Sequence, residues 1–178
     1  MRSAVWLDPP AREAVHRLKY SGWWRVAEAM AETMRRALPI PVGTMLVAIP
    51  LGATRQRSRG YNQSAVLAES LGRLLDVPVA RDALCRRRET TTQTALTPEE
   101  RRANLAGAFV ANGIPPRRPM LVDDVFTTGA TLAEAAGALL AAGAGTVSGI
   151  TFARAARPLA DAAAGPTHEQ TNLSWRRA

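Results

Sequence analysis

The chain has one cysteine, one lysine, two histidines and few aromatic residues. Each shortage closes off a class of function. Cys85 alone excludes an internal disulfide and any zinc site built from several cysteines, and it reads as a small packing residue. Aromatic residues make up 5% of the chain, which leaves little material for the base-stacking surfaces of single-strand binding. No apolar run reaches the roughly 18 residues of a membrane-spanning helix. The first residues lack the uninterrupted apolar stretch of a secretory signal, so the cytoplasm is the expected compartment. His16 lies next to an apolar helical stripe and His168 lies in a polar tail, so both read as ordinary surface or core residues.

What is present is one domain's length of chain, 178 residues, with apolar content enough for a single packed core. Basic residues outnumber acidic ones, 23 to 15, for a formal charge of +8. Lys19 is the only lysine, so the rest are arginines. Such a balance fits polyanionic ligands (pyrophosphate, nucleotides, nucleic acid) without choosing among them.

The most informative stretch is Met120 to Thr131, which reads Met-Leu-Val-Asp-Asp-Val-Phe-Thr-Thr-Gly-Ala-Thr. Met120 to Val122 has the character of a buried strand, and Asp123 and Asp124 are expected at its end. Ionised carboxylates only accept hydrogen bonds, which suits sugar hydroxyls. A turn with Thr127, Thr128 and Thr131 hydroxyls then leads into a helix, whose free N-terminal N–H groups suit a phosphate. Gly129 allows close backbone approach. Carboxylates for a ribose beside a cradle for its phosphate describe a ribose-phosphate site.

Periodicity supplies the surroundings. Asp8-Pro9 reads as an N-cap followed by a first-turn proline, and Ala11, Ala14, Val15 and Leu18 give an amphipathic helix that Gly22 breaks. A second stripe runs through Ala27, Met30, Ala31, Met34 and Leu38, with Trp23 and Trp24 as packing residues at its start. Strands are expected at 45–49, closed by Pro50, and at 77–80. The segment 51–61 reads as a loop carrying Arg55, Arg57, Arg59 and Gly60. Asn62 caps a helix whose apolar face is Val66, Leu67, Leu71, Leu74 and Leu75. Residues 85–104 read as a long loop with some helix near 98–104; loops of that length are usually functional. Phe109 to Ala111 reads as a strand edge. A strand at 119–123, a helix through Leu132, Ala135, Ala136, Leu139 and Leu140, and a strand at 147–152 complete the pattern. Alternating strands and helices argue for a parallel sheet. Residues 158–178 read as a poorly ordered tail.

The Asp-Asp and Thr-Gly segment resembles the binding motif of type I phosphoribosyltransferases, which use phosphoribosyl pyrophosphate. Phe126 stands where that family usually has an aliphatic residue. Four further segments narrow the resemblance: Lys19-Tyr20-Ser21-Gly22, Arg59-Gly60-Tyr61-Asn62-Gln63-Ser64, Gln93-Thr94-Ala95-Leu96, and Arg101-Arg102-Ala103-Asn104 with Gly107-Ala108-Phe109. Together they resemble the ComF-like family of competence-associated phosphoribosyltransferase-fold proteins, from about residue 12 to 154. The resemblance implies an α/β, type I phosphoribosyltransferase-like fold: a central, mostly parallel sheet flanked by helices, with a small N-terminal helical hood. A single domain is expected over residues 1–157, with the hood over about 1–40. Family members often open with a Cys-rich zinc-binding segment; none is read here, so no zinc is expected in this chain. Either the sequence is a shortened form or this member lacks the module.

The resemblance also implies a reaction: transfer of ribosyl phosphate from phosphoribosyl pyrophosphate to a nitrogen nucleophile, with release of pyrophosphate. Positive charge develops on the ribose carbon and negative charge on the leaving group, so positioning and electrostatics dominate. Asp123 and Asp124 would hold the ribose hydroxyls, directly or through the waters of a Mg²⁺ ion. Thr127, Thr128, Gly129, Ala130 and Thr131 would wrap the 5′-phosphate. Pro50, Leu51 and Gly52 match the family's pyrophosphate loop by position. Arg59 is a candidate anion contact, with a loop-positioning pair as the alternative, and Arg86, Arg87 or Arg88 would reach the pyrophosphate if the 85–104 loop closes. In 6-oxopurine salvage enzymes the position of Thr127 holds an Asp general base and that of Ala130 a Lys; neither is here, which argues against hypoxanthine or guanine as acceptor.

Three functions remain open on this reading. One is an active phosphoribosyltransferase. Another is a non-catalytic nucleotide sensor on the same fold. The third is a protein associated with single-stranded DNA or DNA-processing partners, whose arginine clusters at 55–59, 86–88 and 117–118 would contact phosphates. Membrane insertion is not expected. The oligomeric state is open, a homodimer being among the states the family reading allows.

Overall fold

A computed structural model of the chain describes residues 1–20, 24–89, 105–155 and 174–176, apart from the Trp24 side chain. Its centre is a five-stranded sheet. Four strands, β1 (Arg2–Trp6), β2 (Met45–Ala48), β5 (Pro119–Phe126) and β6 (Thr146–Arg154), run parallel in the order β1-β6-β5-β2. The short β7 (Trp175–Arg176) pairs antiparallel with the start of β6, Val147 opposite Trp175. A separate antiparallel ribbon joins β3 (Leu84–Arg86) to β4 (Phe109–Ala111). This is the mostly parallel α/β architecture expected from the sequence.

Helices cover both faces of the sheet. On one side lie α1 (Pro9–Tyr20), α2 (Trp24–Ala37) and α4 (Gln63–Leu75). Leu18, Met30, Met34, Leu67 and Leu71 from these helices meet Met120, Val122 and Ile150 of the sheet. On the other side, Leu132, Ala135, Ala136 and Leu139 of α5 (Ala130–Ala141) meet Val47, Leu121 and Val147. Successive β5 residues therefore serve opposite cores, which is why 119–122 is a continuous buried run rather than an alternating one. Each fully buried leucine here contributes on the order of 2–5 kcal/mol against truncation to alanine.

Local signals account for most element boundaries. Asp8 Oδ1 accepts the Ala11 N–H at 3.0 Å, the cap expected ahead of α1. Asn62 caps α4 by accepting from the Ser64 N–H at 3.0 Å. Three expectations are revised, and one strand is added. The segment 51–61 is not all loop: α3 (Ala53–Arg59) occupies it, and it escaped notice because none of its residues is buried and no apolar stripe marks it. Residues 2–6, short and weakly patterned, form the edge strand β1. The strand expected at 77–80 is a single bridge, Leu46 with Val79. β5 does not stop at the carboxylates but runs on to Phe126, so Asp123 and Asp124 are strand residues. Trp23, the expected helix near 98–104, the Gln93–Leu96 and Arg101–Asn104 motifs and His168 lie outside the described residues, as does the expected tail apart from 174–176.

Candidate functional site

Parallel sheets place their ligand clefts at the carboxyl ends of the strands. Here β1, β2 and β5 all end at one cleft of about 340 Å³, roofed by α1 and closed at the side by the start of α4. Asp123 and Asp124 form its floor. Asp123 Oδ1 accepts two hydrogen bonds, from Ser64 Oγ at 2.7 Å and from the Asp124 N–H at 2.9 Å. Ser64 lies in the first turn of α4, so the positive end of that helix also faces the carboxylate. Asp124 is 4% exposed. Its Oδ2 has no aligned hydrogen bond; what it faces is the Lys19 ammonium of α1, 2.5 Å away.

The Asp123 carboxyl is raised from its ordinary 3.8 toward neutrality. Burial is the largest cause and the charge of Asp124 the next; the Ser64 hydrogen bond opposes both. Some of its surface still opens to the cleft, so solvent moderates the shift.

Beyond β5 the chain enters the hydroxyl loop. Thr127 and Thr128 are exposed, and Gly129 takes φ +79° ahead of α5. The Phe126 ring lies directly beneath: a Cβ on Gly129 would come within 2.6 Å of it. The aromatic residue that departs from the family pattern thus fills the space under the glycine, and its face carries the Arg154 guanidinium at 5.0 Å. No side chain of the capping residue closes the N-terminus of α5; the Ala130 N–H has only a long 3.4 Å contact to Thr128 Oγ1. Helix geometry leaves the next N–H groups without intrahelical partners.

The opposite wall is cationic. Pro50 and Leu51 line the cleft with Arg55 of α3 and Arg86 of β3. Arg86 stacks over Phe109 at 5.3 Å, and burial followed by the neighbouring Arg55 charge lowers its pKa. The Glu89 carboxylate lies across the turn before α3, accepting the Thr54 N–H at 2.8 Å. A Cβ on Gly52 would meet Glu89 Oε2 at 2.4 Å.

Of the residues singled out from sequence, Asp123, Asp124, Thr127, Thr131, Pro50, Leu51 and Arg86 line this one cleft. Gly52, Thr128, Gly129 and Ala130 belong to the two turns beside it. Arg59 and Arg87 are not among the cleft residues. Arg59 donates to Gln63 Oε1 at 2.9 Å and stacks over Tyr20 at 5.1 Å; Arg87 is exposed, and its backbone N–H donates to the Ala108 carbonyl. Sequence reasoning missed Arg12, Lys19 and Ser64 as cleft residues. A signal existed for two of them: Arg12, Val15 and Lys19 are spaced i, i+3, i+7 and so share one helical face. Among the described residues no group of three or more His, Cys, Asp or Glu converges on a single point, and no helix is long and apolar enough to cross a membrane.

No family model matches the chain. It is 36% identical over 147 residues to the DNA utilization protein YhgH of Escherichia coli O157:H7, covering 78% of this chain and 65% of that protein. It is 34% identical over 136 residues to competence protein F of Haemophilus influenzae, covering 70% and 59%. The chain thus spans about two thirds or less of the length of these curated relatives. Among solved structures, the hypoxanthine phosphoribosyltransferase of Trypanosoma cruzi is similar at 15% identity and a TM-score of 0.36, covering 81% of this chain and 66% of that one.

Proposed function

For a chain that is ComF-like in sequence, we propose that the cleft binds phosphoribosyl pyrophosphate. On this reading it transfers ribosyl phosphate to a nitrogen acceptor, as a phosphoribosyltransferase of the pentosyl glycosyltransferase class. The observation that carries the reading is the meeting, in one cleft, of a carboxylate pair, an uncapped helix N-terminus with its threonine loop, and a cationic wall. Each part answers one part of the ligand. Asp123 and Asp124 accept from ribose hydroxyls. Thr127, Thr131 and the α5 N–H groups donate to the 5′-phosphate. Arg55 and Arg86 face the pyrophosphate.

In the reaction the bond from ribose C1 to the pyrophosphate oxygen breaks, a bond from the acceptor nitrogen to C1 forms, and the proton of that nitrogen passes to solvent. The residues' contribution is electrostatic. The carboxylates favour the cationic ribose, and the arginines favour the departing pyrophosphate. The donor set also fits Mg²⁺: two adjacent carboxylates offer hard oxygen ligands, and the ion keeps several waters. When bound, Mg²⁺ supplies neutralisation of the pyrophosphate charge. The relatives' names carry DNA utilization and competence, and we extend that context to this chain as part of the proposal.

The test is calorimetric titration of phosphoribosyl pyrophosphate with Mg²⁺ into the wild type, Asp123→Asn and Asp124→Asn. Micromolar-range binding that either variant weakens about tenfold, about 1.4 kcal/mol, is the expected result. A folded wild type that binds nothing would sink the reading.

A further inference from the structure

Lys19 is the chain's only lysine, and it reaches from the α1 roof to the carboxylate floor of the cleft. Its ammonium lies 2.5 Å from Asp124 Oδ2, with side-chain exposures of 23% and 5% for the two partners. That oxygen has no aligned hydrogen bond of its own. The neighbouring carboxylate is differently provided: Asp123 Oδ1 is held by Ser64 and by a backbone N–H. The two carboxylates are therefore fixed by different means, Asp123 by neutral donors and Asp124 by a cation. The arrangement is also braced. The Tyr61 hydroxyl donates to the carbonyl of Leu18, the residue before Lys19, and Arg59 stacks on Tyr20, the residue after it.

We propose that Lys19 is the resident cation of this site: it holds the position on Asp124 that a divalent metal would take, and metal and ammonium compete for that carboxylate. A hard divalent cation needs deprotonated carboxylate oxygens at about 2.0–2.1 Å in near-octahedral order. An ammonium 2.5 Å from the same oxygen stands inside the space such an ion and its waters require. When both carboxylates are ionised, they and the one ammonium leave a single net negative charge, enough to orient sugar hydroxyls and too little to hold a divalent ion firmly. Metal arriving as a complex with a polyphosphate brings its own anionic ligands and so meets a lower demand on the protein. Lys19 thereby biases the cleft toward metal already carried by its ligand and against free metal. It is a positioning residue that acts through Asp124.

The inference rests on the ribose-phosphate reading only in treating the acid pair as able to take metal. It is tested with metal alone, so its failure leaves binding of phosphoribosyl pyrophosphate to be judged separately. Free Mn²⁺ is titrated, and bound ion is read by electron paramagnetic resonance, in the wild type, Lys19→Gln, Lys19→Arg and the double variant Lys19→Gln with Asp124→Asn. Tightening of at least tenfold in Lys19→Gln, none in Lys19→Arg, and reversal in the double variant are expected. Unchanged or weaker Mn²⁺ binding in Lys19→Gln overturns the proposal. Should Lys19→Gln unfold, Mn²⁺ is added during refolding: recovery of the fold supports the competition, and no recovery overturns it.

Discussion

The Tyr61 hydroxyl donates to the Leu18 carbonyl, joining the last turn of α1 to the turn that precedes α4. One bond therefore ties the helix carrying Lys19 to the helix carrying Ser64, and so sets the spacing between the partners of Asp124 and of Asp123. Burial raises the Tyr61 pKa, which keeps the hydroxyl a donor across the neutral range. Tyr61→Phe should lower stability by about 1 kcal/mol and also weaken phosphoribosyl pyrophosphate binding. Denaturant melts and calorimetry check the two effects, and unchanged ligand affinity would show that the brace does not position the site.

The Asp123 carboxyl gives stability a pH dependence of definite sign. Its pKa is raised in the fold above the ordinary 3.8. As pH rises from about 4 toward neutrality, the unfolded chain gives up this proton while the native protein retains it, so stability falls over that window. Asp123→Asn keeps an acceptor for Ser64 and removes the titration. Its stability relative to the wild type should therefore improve with rising pH, read as the difference between urea midpoints at pH 4.5 and pH 7.5. A difference independent of pH would mean that Asp123 is not shifted.

Gly129→Ala should damage the threonine loop twice. A side chain at φ +79° is disfavoured, and its Cβ would press on the Phe126 ring at 2.6 Å. A loss of about 1–3 kcal/mol of stability is expected, with weaker binding of ribose 5-phosphate. Adding Phe126→Leu should return part of the packing loss but none of the backbone strain. Full recovery in the double variant would show that the conformation of Gly129 is unimportant.

Glu89 occupies the Thr54 N–H, a donor that the proposed pyrophosphate would use. Glu89→Gln removes the competing charge and should tighten pyrophosphate binding by roughly fivefold, about 1 kcal/mol, measured by calorimetry at fixed ionic strength. Weaker binding would mean that Glu89 supports the turn rather than competing for it.

The legible parts of this protein were those with a strong local reason. The buried run before Asp123 and the hydroxyls after it pointed to one cleft because strand, charge and turn chemistry coincide within twelve residues. Asn62 and Asp8 were legible as caps because capping is a short-range hydrogen bond. By contrast, α3 carries no apolar stripe, so its seven residues read as loop. Lys19 and Ser64 reach the carboxylates from 105 and 59 positions away in the chain, distances at which spacing patterns carry no information. Their motifs carried the family resemblance without saying that both converge on one pair of acids. The family's aliphatic preference at Phe126 likewise gave no hint that a ring could support the glycine from below.

The carboxylates are strand residues, and the threonines are not. Backbone amides of Asp123 and Val125, in register with β6, should exchange with solvent only when the whole sheet opens. Those of Thr127 and Thr128 need no more than a local excursion. The carboxylate half of the cleft is then a fixed template, while the threonine half is an adjustable grip. On the proposed reading, a ligand would be admitted by its phosphate and judged by its ribose.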